Sequence, residues 1–215
     1  MSNKYWNALK RSYRTFKFEL YCHRCCLYGI FKTKLLFRVD NINKLEIGIG
    51  GTQKKAGFIS SDINIGTDYP YDLRLGLPFP DTSIDFIYAE HVLEHFTYVN
   101  LIDLIKDCRR VLKPQGVLSI VVPDATIYLD GYNNPESFSY KQYCLFEFGL
   151  QYKSKIDFLN YIFYMDGHHR HMFDRESILS VVSDGGFSQV RLRDFDPSLD
   201  QQTRQYESIY AECIK

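Results

Sequence analysis

The chain has 215 residues, of which 45% are hydrophobic and 24% charged, a balance that suits one soluble globular domain with a substantial core. Its net charge is zero, yet residues 1–38 hold nine Lys/Arg against the single acid Glu19, a local +8 offset by −8 elsewhere. An acidic body repels phosphates, so no nucleic-acid partner is expected. No run of about 18 or more apolar residues is present, so no membrane span is expected.

Aromatic residues are abundant, with 17 Tyr and 16 Phe. Dense packing is the usual cause, and an interfacial or sugar-binding surface is the other. Cys22, Cys25 and Cys26 cluster, while Cys108, Cys144 and Cys213 are scattered. No signal peptide is visible, so the thiols are expected reduced and the protein cytoplasmic. Cys22-x-x-Cys25 lacks a second pair at zinc spacing and reads as incidental.

Residues 4–37 read as a helix. Trp6, Leu9, Tyr13, Phe16, Leu20 and Leu27 recur on one face, with Lys10, Arg11, Arg14 and Lys17 between them. This arm, residues 1–40, reads as a helix capping the substrate cleft, as a contact for anionic lipid at the inner membrane face, or as a solvated helix. The rest, 41–215, reads as one domain.

From Lys44 the pattern changes. Leu45-Glu46-Ile47-Gly48 is a strand entering a Gly-rich turn. Phe58 to Asp62 is a second strand and Ile84 to Tyr88 a third. Only Thr52 to Gly57 separates the turn from the second strand, room for about one helical turn. Val92 to Leu112 reads as a single amphipathic helix, with Val92, Phe96, Val99, Leu101, Ile102, Ile105 and Val111 inward; Pro114 and Gly116 stop it. Val117 to Val122 has the continuous apolar character of a strand buried on both faces. Residues 128–166 read as helices inserted over the sheet. Arg175 to Ser183 is a helix, and Phe187–Phe195 with Glu207–Ile214 read as an antiparallel closing pair. Strands alternating with helices imply a parallel sheet.

Glu46-Ile-Gly48-Ile-Gly50-Gly51 carries the chemistry. Glycines after a buried strand allow a tight turn and close approach to a ligand. Gln53 stands where a dinucleotide site has its third glycine, and Asp62 follows Gly50 by only 12 residues rather than roughly 20. Both points argue against NAD. Glu46 suits a ligand bearing an ammonium group, and Asp62 can accept ribose hydroxyls.

These residues, with Asp72-Leu73-Arg74, Leu77-Pro78-Phe79, Ser83 to Tyr88, His91-Val-Leu-Glu94-His95 and Arg109 to Leu118, resemble class I S-adenosylmethionine (SAM)-dependent methyltransferases of the type-11 group. Gln115 stands where that group usually has Gly. The nearest resemblance is to bacterial members associated with surface polysaccharide synthesis, which share Gly167-His-His169-Arg-His171-Met-Phe173 and Glu207-Ser-Ile-Tyr210. The resemblance implies an α/β, Rossmann-like fold with a mostly parallel twisted sheet, an antiparallel C-terminal strand and the N-terminal helical arm. It implies SAM as cofactor. Glu46, Gly48 and Gly50 would line its methionine end, Asp62 its ribose, Asp72 and Leu73 its adenine. Glu90 and His91 would face the sulfonium and the acceptor, a sugar hydroxyl of a surface glycan or its precursor.

For the proton released on methyl transfer, His171 and His169 rank first and His91 next, because imidazole titrates near neutrality. Two other functions compete. One is a non-catalytic module tethered through the basic arm. The other is a zinc hydrolase, since His91-x-x-Glu94-His95 places two histidines on one helical face. The strand–turn context explains the motif without an ion, and no metal is expected.

Overall fold

The computed structural model describes residues 3–41, 43–50, 53–144 and 154–215. Gly51 and Thr52 of the glycine turn, and 145–153 of the inserted helices, lie outside the described residues.

Among the described residues seven strands form one sheet: β1 (Lys44–Ile47), β2 (Ile59–Asp62), β3 (Tyr69–Pro70), β4 (Ile84–Glu90), β5 (Leu112–Pro123), β6 (Gln189–Leu192) and β7 (Ser208–Ile214). Their spatial order is β3-β2-β1-β4-β5-β7-β6. The β3 to β5 side is parallel throughout, and β7 inserts antiparallel between β5 and β6. This is the expected mostly parallel sheet with its antiparallel C-terminal strand. Leu45, Ile87, Ile120 and Ala211 are fully buried at its centre.

The helices are α1 (Asn3–Leu36), α2 (Tyr98–Val111), α3 (Ala125–Asn133), α4 (Tyr140–Tyr143), α5 (Ile156–Tyr164) and α6 (Arg175–Asp184). α2 buries Leu101, Leu104, Ile105, Cys108 and Val111, a 3–4 spaced stripe against the sheet. The single helix expected from Val92 does not form. Leu93–His95 is a 3-10 turn, and the α-helix starts only after Thr97. Val99 consequently points to solvent instead of inward. Between the glycine turn and β2, the described residues 53–57 form a bare turn with no helix.

α1 forms over the expected span but presents a different face. Trp6, Leu9, Tyr13, Phe16, Leu20 and Leu27 are all exposed. The buried face is Cys22, Cys25, Cys26, Gly29 and Thr33. The cause is steric: α1 crosses the backbone of edge strand β3, and a Cβ on Gly29 would lie 2.0 Å from the Pro70 carbonyl oxygen. Only small side chains permit that approach, so the larger apolar face turns outward. Among the described residues, no helix is long and apolar enough to cross a membrane.

Candidate active site

Strand order reverses between β1 and β4, and the crevice beyond their carboxyl ends is where open α/β sheets bind ligands. Gly48 leaves β1 with φ of 67°, and a Cβ there would sit 2.5 Å from a Val92 methyl. Glycine is required on both counts. Asp62, at the end of β2, clamps the turn: its Oδ2 accepts from the Gly50 amide at 3.1 Å and its Oδ1 from the Asn64 amide at 2.9 Å. Asp72 caps the short turn Leu73–Leu75 and pairs with the Arg74 guanidinium, which reaches on to Glu19 of α1 at 3.0 Å. A cavity of about 790 Å³ runs from Phe18, Cys22 and Asp72, past Asp62, Gly48 and Gly50, to His91, His95 and His168. The N-terminal helix therefore walls one end of the ligand crevice.

A second cavity, about 250 Å³, lies under the glycine turn between Glu46, Gly48, Gly50, Glu90, His91 and Arg204. Glu46 accepts a 2.7 Å hydrogen bond from the Lys55 amide, and its burial pushes its pKa up. Glu90 ends β4 with its side chain turned inward, 4% exposed. One oxygen accepts from the Gln201 amide at 3.1 Å; the other, Oε2, has no hydrogen-bond partner and stands 3.7 Å from the Lys55 ammonium. Two buried carboxylates with an unmatched acceptor atom make a cradle for a small cationic group.

The third cavity, about 240 Å³, is lined by Tyr161, Ile162, Met165 and Pro123 on its apolar side and by His91, Glu94, His95, His168, His169, Arg204 and Glu207 on its polar side. α3 and α5 roof it, packing through Tyr128, Tyr161 and Ile162. The segment Gly167–His171 closes it, because the amides of Arg170 and His171 both donate to the Glu94 carbonyl, at 2.7 and 3.1 Å. His91 has a left-handed backbone, φ 53°, a conformation that costs a non-glycine residue about 1 kcal/mol or more. That backbone sets its ring where all three cavities meet.

Burial dominates the electrostatics here. It lowers the pKa of His91 and His95, takes His169 down to about 4 and raises Glu94 to about 8. Glu207, also buried, is raised for the same reason, with Arg204 beside it at 2.9 Å opposing the shift.

The structure thus gathers Glu46, Gly48, Gly50, Asp62, Asp72, Leu73, Glu90 and His91 around one continuous crevice, with His169 in the adjoining cavity. His171 lies elsewhere, against the rings of Tyr98 and Phe173. His91 and His95 do not share a helical face, since the backbone between them is a 3-10 turn. Sequence reasoning missed Lys55, Phe18, Arg204 and Glu207 as lining or supporting groups. Glu207 had a visible signal, an acid directly before a largely apolar strand; Arg204, in a polar loop, had none.

Residues 71–120, under a quarter of the chain, match the family model described as "Methyltransferase domain". Among curated proteins no sequence match reaches significance. The S-adenosylmethionine-dependent methyltransferase from Mesorhizobium loti is similar at 14% identity and TM-score 0.50, over 86% of this chain and 95% of that one. The PH0226 protein from Pyrococcus horikoshii OT3 is similar at 14% identity and TM-score 0.50, over 86% and 85%. CurJ carbon methyltransferase gives 18% identity and TM-score 0.47; the chain covers 50% of its length, and 85% of this chain is aligned. The chain has the fold of class I SAM-dependent methyltransferases, and its residues 71–120 match a methyltransferase domain. SAM fits the crevice: the unpartnered Glu90 oxygen suits the methionine ammonium, and the Gly48 and Gly50 turn leaves no side chain in its path.

Proposed function

We propose that the protein transfers the methyl group of SAM to a hydroxyl of a sugar, in a surface glycan or its precursor. The observation that carries this reading is the meeting of the SAM crevice with the roofed cavity at His91, His95 and His168. Glu46 and Glu90 would hold the ammonium of SAM and Asp62 its ribose, which would leave the methyl near that junction. The acceptor oxygen attacks the methyl carbon, the carbon–sulfur bond breaks, and S-adenosylhomocysteine leaves. Alignment supplies most of the rate gain.

The hydroxyl proton goes to a lone pair lining the roofed cavity. Among the three histidines predicted for this task, His169 suits it best, because it lines the cavity and its Nδ1–H donates to the Ile162 carbonyl, which leaves the lone pair on Nε2. Both ring nitrogens of His91 are engaged, by Arg204 and Ser208. Tyr161 offers an apolar ring face and Glu207 a carboxylate, the pairing that sugars require.

Isothermal titration with SAM tests the cofactor, and release of S-adenosylhomocysteine with a panel of sugar acceptors tests the reaction. A folded protein that fails to bind millimolar SAM overturns the proposal. SAM binding without turnover on any acceptor favours the non-catalytic module, which the missing helix before β2 supports.

The exposed face of α1 supports a second element of the proposal, attachment to an anionic membrane surface on the cytoplasmic side. Trp6, Tyr13, Phe16 and Phe31 stand in solvent beside Lys10, Arg11, Arg14 and Lys17. Lysines lie over the Trp6 and Tyr13 rings at 6.0 and 4.7 Å. Such a face suits anionic headgroups and opposes pairing with a second copy of itself. Sedimentation with vesicles containing phosphatidylglycerol is expected, and is expected to fall in high salt; equal binding to neutral vesicles counts against it.

A further inference from the structure

We propose that Glu94, His95 and His169 form a binding site for one divalent transition cation, of the Zn²⁺ or Co²⁺ type, in the floor of the roofed cavity. Their ligand atoms lie within 4.8 Å of one another. His95 turns its Nδ1 to the His168 carbonyl at 3.0 Å, and His169 turns its Nδ1 to the Ile162 carbonyl at 2.5 Å. A carbonyl only accepts, so each Nδ1 carries the proton and each Nε2 presents a lone pair. This is the arrangement that orients metal-bound histidines.

Glu94 completes the set. Its side chain is 1% exposed, and neither carboxylate oxygen has a hydrogen-bond partner among the described residues. Three ligand groups thus converge, and the buried carboxyl among them has no hydrogen-bond partner, an unmet polar demand that a cation would satisfy. Arg204, the guanidinium lining the same cavity, is already directed at Glu207 and His91. Two imidazole nitrogens and a carboxylate are the donor set of an open zinc-type site, and closing the triangle to ligand distances of roughly 2.0–2.1 Å moves each group by less than about 1 Å.

The His91–His95 pair of the alternative zinc-hydrolase reading is not the site. His91 spends its Nδ1 on Arg204 and its Nε2 on Ser208, and the second histidine comes instead from the loop after α5.

The role of the ion rests on the methyltransferase reading. A three-ligand site leaves a position open to the cavity, where an acceptor hydroxyl binds. There the cation would make that hydroxyl more acidic, Glu207, which lines the same cavity, would take its proton, and S-adenosylhomocysteine would leave as the C–S bond breaks and the methyl passes to the oxygen. With the cation in place, His169 is a ligand and no longer takes the proton.

The test is titration of the chelator-treated full chain with Co²⁺, without SAM or acceptor. One equivalent is expected, with visible d–d absorption, no thiolate charge-transfer band, and displacement by Zn²⁺. His95→Gln, on the exposed edge of the site, and Glu94→Gln are each expected to weaken binding at least about tenfold, with circular dichroism unchanged. Failure to bind an equivalent, binding indifferent to both substitutions, or a thiolate band placing the ion at Cys22, Cys25 and Cys26 overturns the proposal. SAM titration of the same sample reads the methyltransferase proposal separately, so either can fail alone.

Discussion

Arg204 donates to the Nδ1 of His91 at 2.9 Å, and that contact fixes the proton of the ring. A guanidinium cannot accept, so Nδ1 holds the lone pair and Nε2–H donates to the Ser208 hydroxyl at 2.8 Å. The same Arg204 neutralises buried Glu207 at 2.9 Å. Arg204→Met strands that carboxylate, and the expected loss of stability is about 3 kcal/mol. The double variant Arg204→Met/Glu207→Gln should recover most of it. Urea denaturation of the two variants and the parent checks both outcomes.

Glu90→Gln removes the charge on the carboxylate whose Oε2 has no hydrogen-bond partner and faces the Lys55 ammonium at 3.7 Å. A charge-assisted hydrogen bond contributes about 1.5–3 kcal/mol, so SAM should bind about tenfold or more weakly while the fold is retained. Calorimetry with SAM checks this; equal affinity would place the ammonium elsewhere.

Burial holds the Glu46 carboxyl above the usual glutamate range, although the Lys55 amide and ammonium oppose the shift. Cationic SAM favours the ionised carboxylate, so proton and ligand compete. Affinity should fall as pH drops through that raised pKa, at a milder acidity than ordinary glutamate would require. It should level off above. Glu46→Gln should bind weakly at every pH and lose the dependence.

Gln115 adopts φ of 65° in β5, where the resembling family carries glycine. A left-handed non-glycine residue costs about 1–2 kcal/mol, and glycine returns part of that as unfolded-chain entropy. Gln115→Gly is therefore expected to stabilise by about 1 kcal/mol and Gln115→Ala to leave stability nearly unchanged. Thermal melts of the two variants separate backbone strain from side-chain effects.

Most of the sheet was legible because its longer strands announce themselves locally, whereas the two-residue edge strand β3 falls in a segment that reads as a loop around Pro70. Leu45-Glu46-Ile47 runs straight into Gly48, Val117 to Val122 is a nearly continuous apolar run between Gly116 and Pro123, and β6 alternates. Helix phase was less so. Val92 and Phe96 are buried, as a helix from Val92 requires, yet they reach the core from a 3-10 turn shaped by the left-handed His91. No spacing rule registers that strain. The α1 face failed for a related reason: amphipathic counting ranks large apolar residues inward, and contact with the Pro70 backbone admits only small ones. In the site, the glycine turn and Asp62 follow from strand ends. The link of Arg204 to His91, and of His95 to His169, joins distant segments that only the folded chain brings together.

Gly29→Val tests the α1 seam directly. The added side chain meets the Pro70 carbonyl, and overpacking of this kind costs about 1–3 kcal/mol. The Arg74–Glu19 pair and the Phe18 wall should loosen with it, so SAM affinity should fall along with the melting temperature. A lower melting temperature with unaltered SAM affinity would show that the helix stabilises the domain without shaping the crevice.

The insertion of β7 between β5 and β6 bears on how the protein is made. Strands β1 to β5 can pair while a nascent chain is still emerging, but β5 keeps a bare edge until residues 208–214 arrive. β6 emerges earlier and must wait for that strand before it joins the sheet. Glu207, immediately ahead of β7, comes with it, so the roofed cavity gains that carboxylate only on final closure. Synthesis stalled before that point would leave the glycine turn formed and the acceptor side unfinished, with an open strand edge for chaperones to shield.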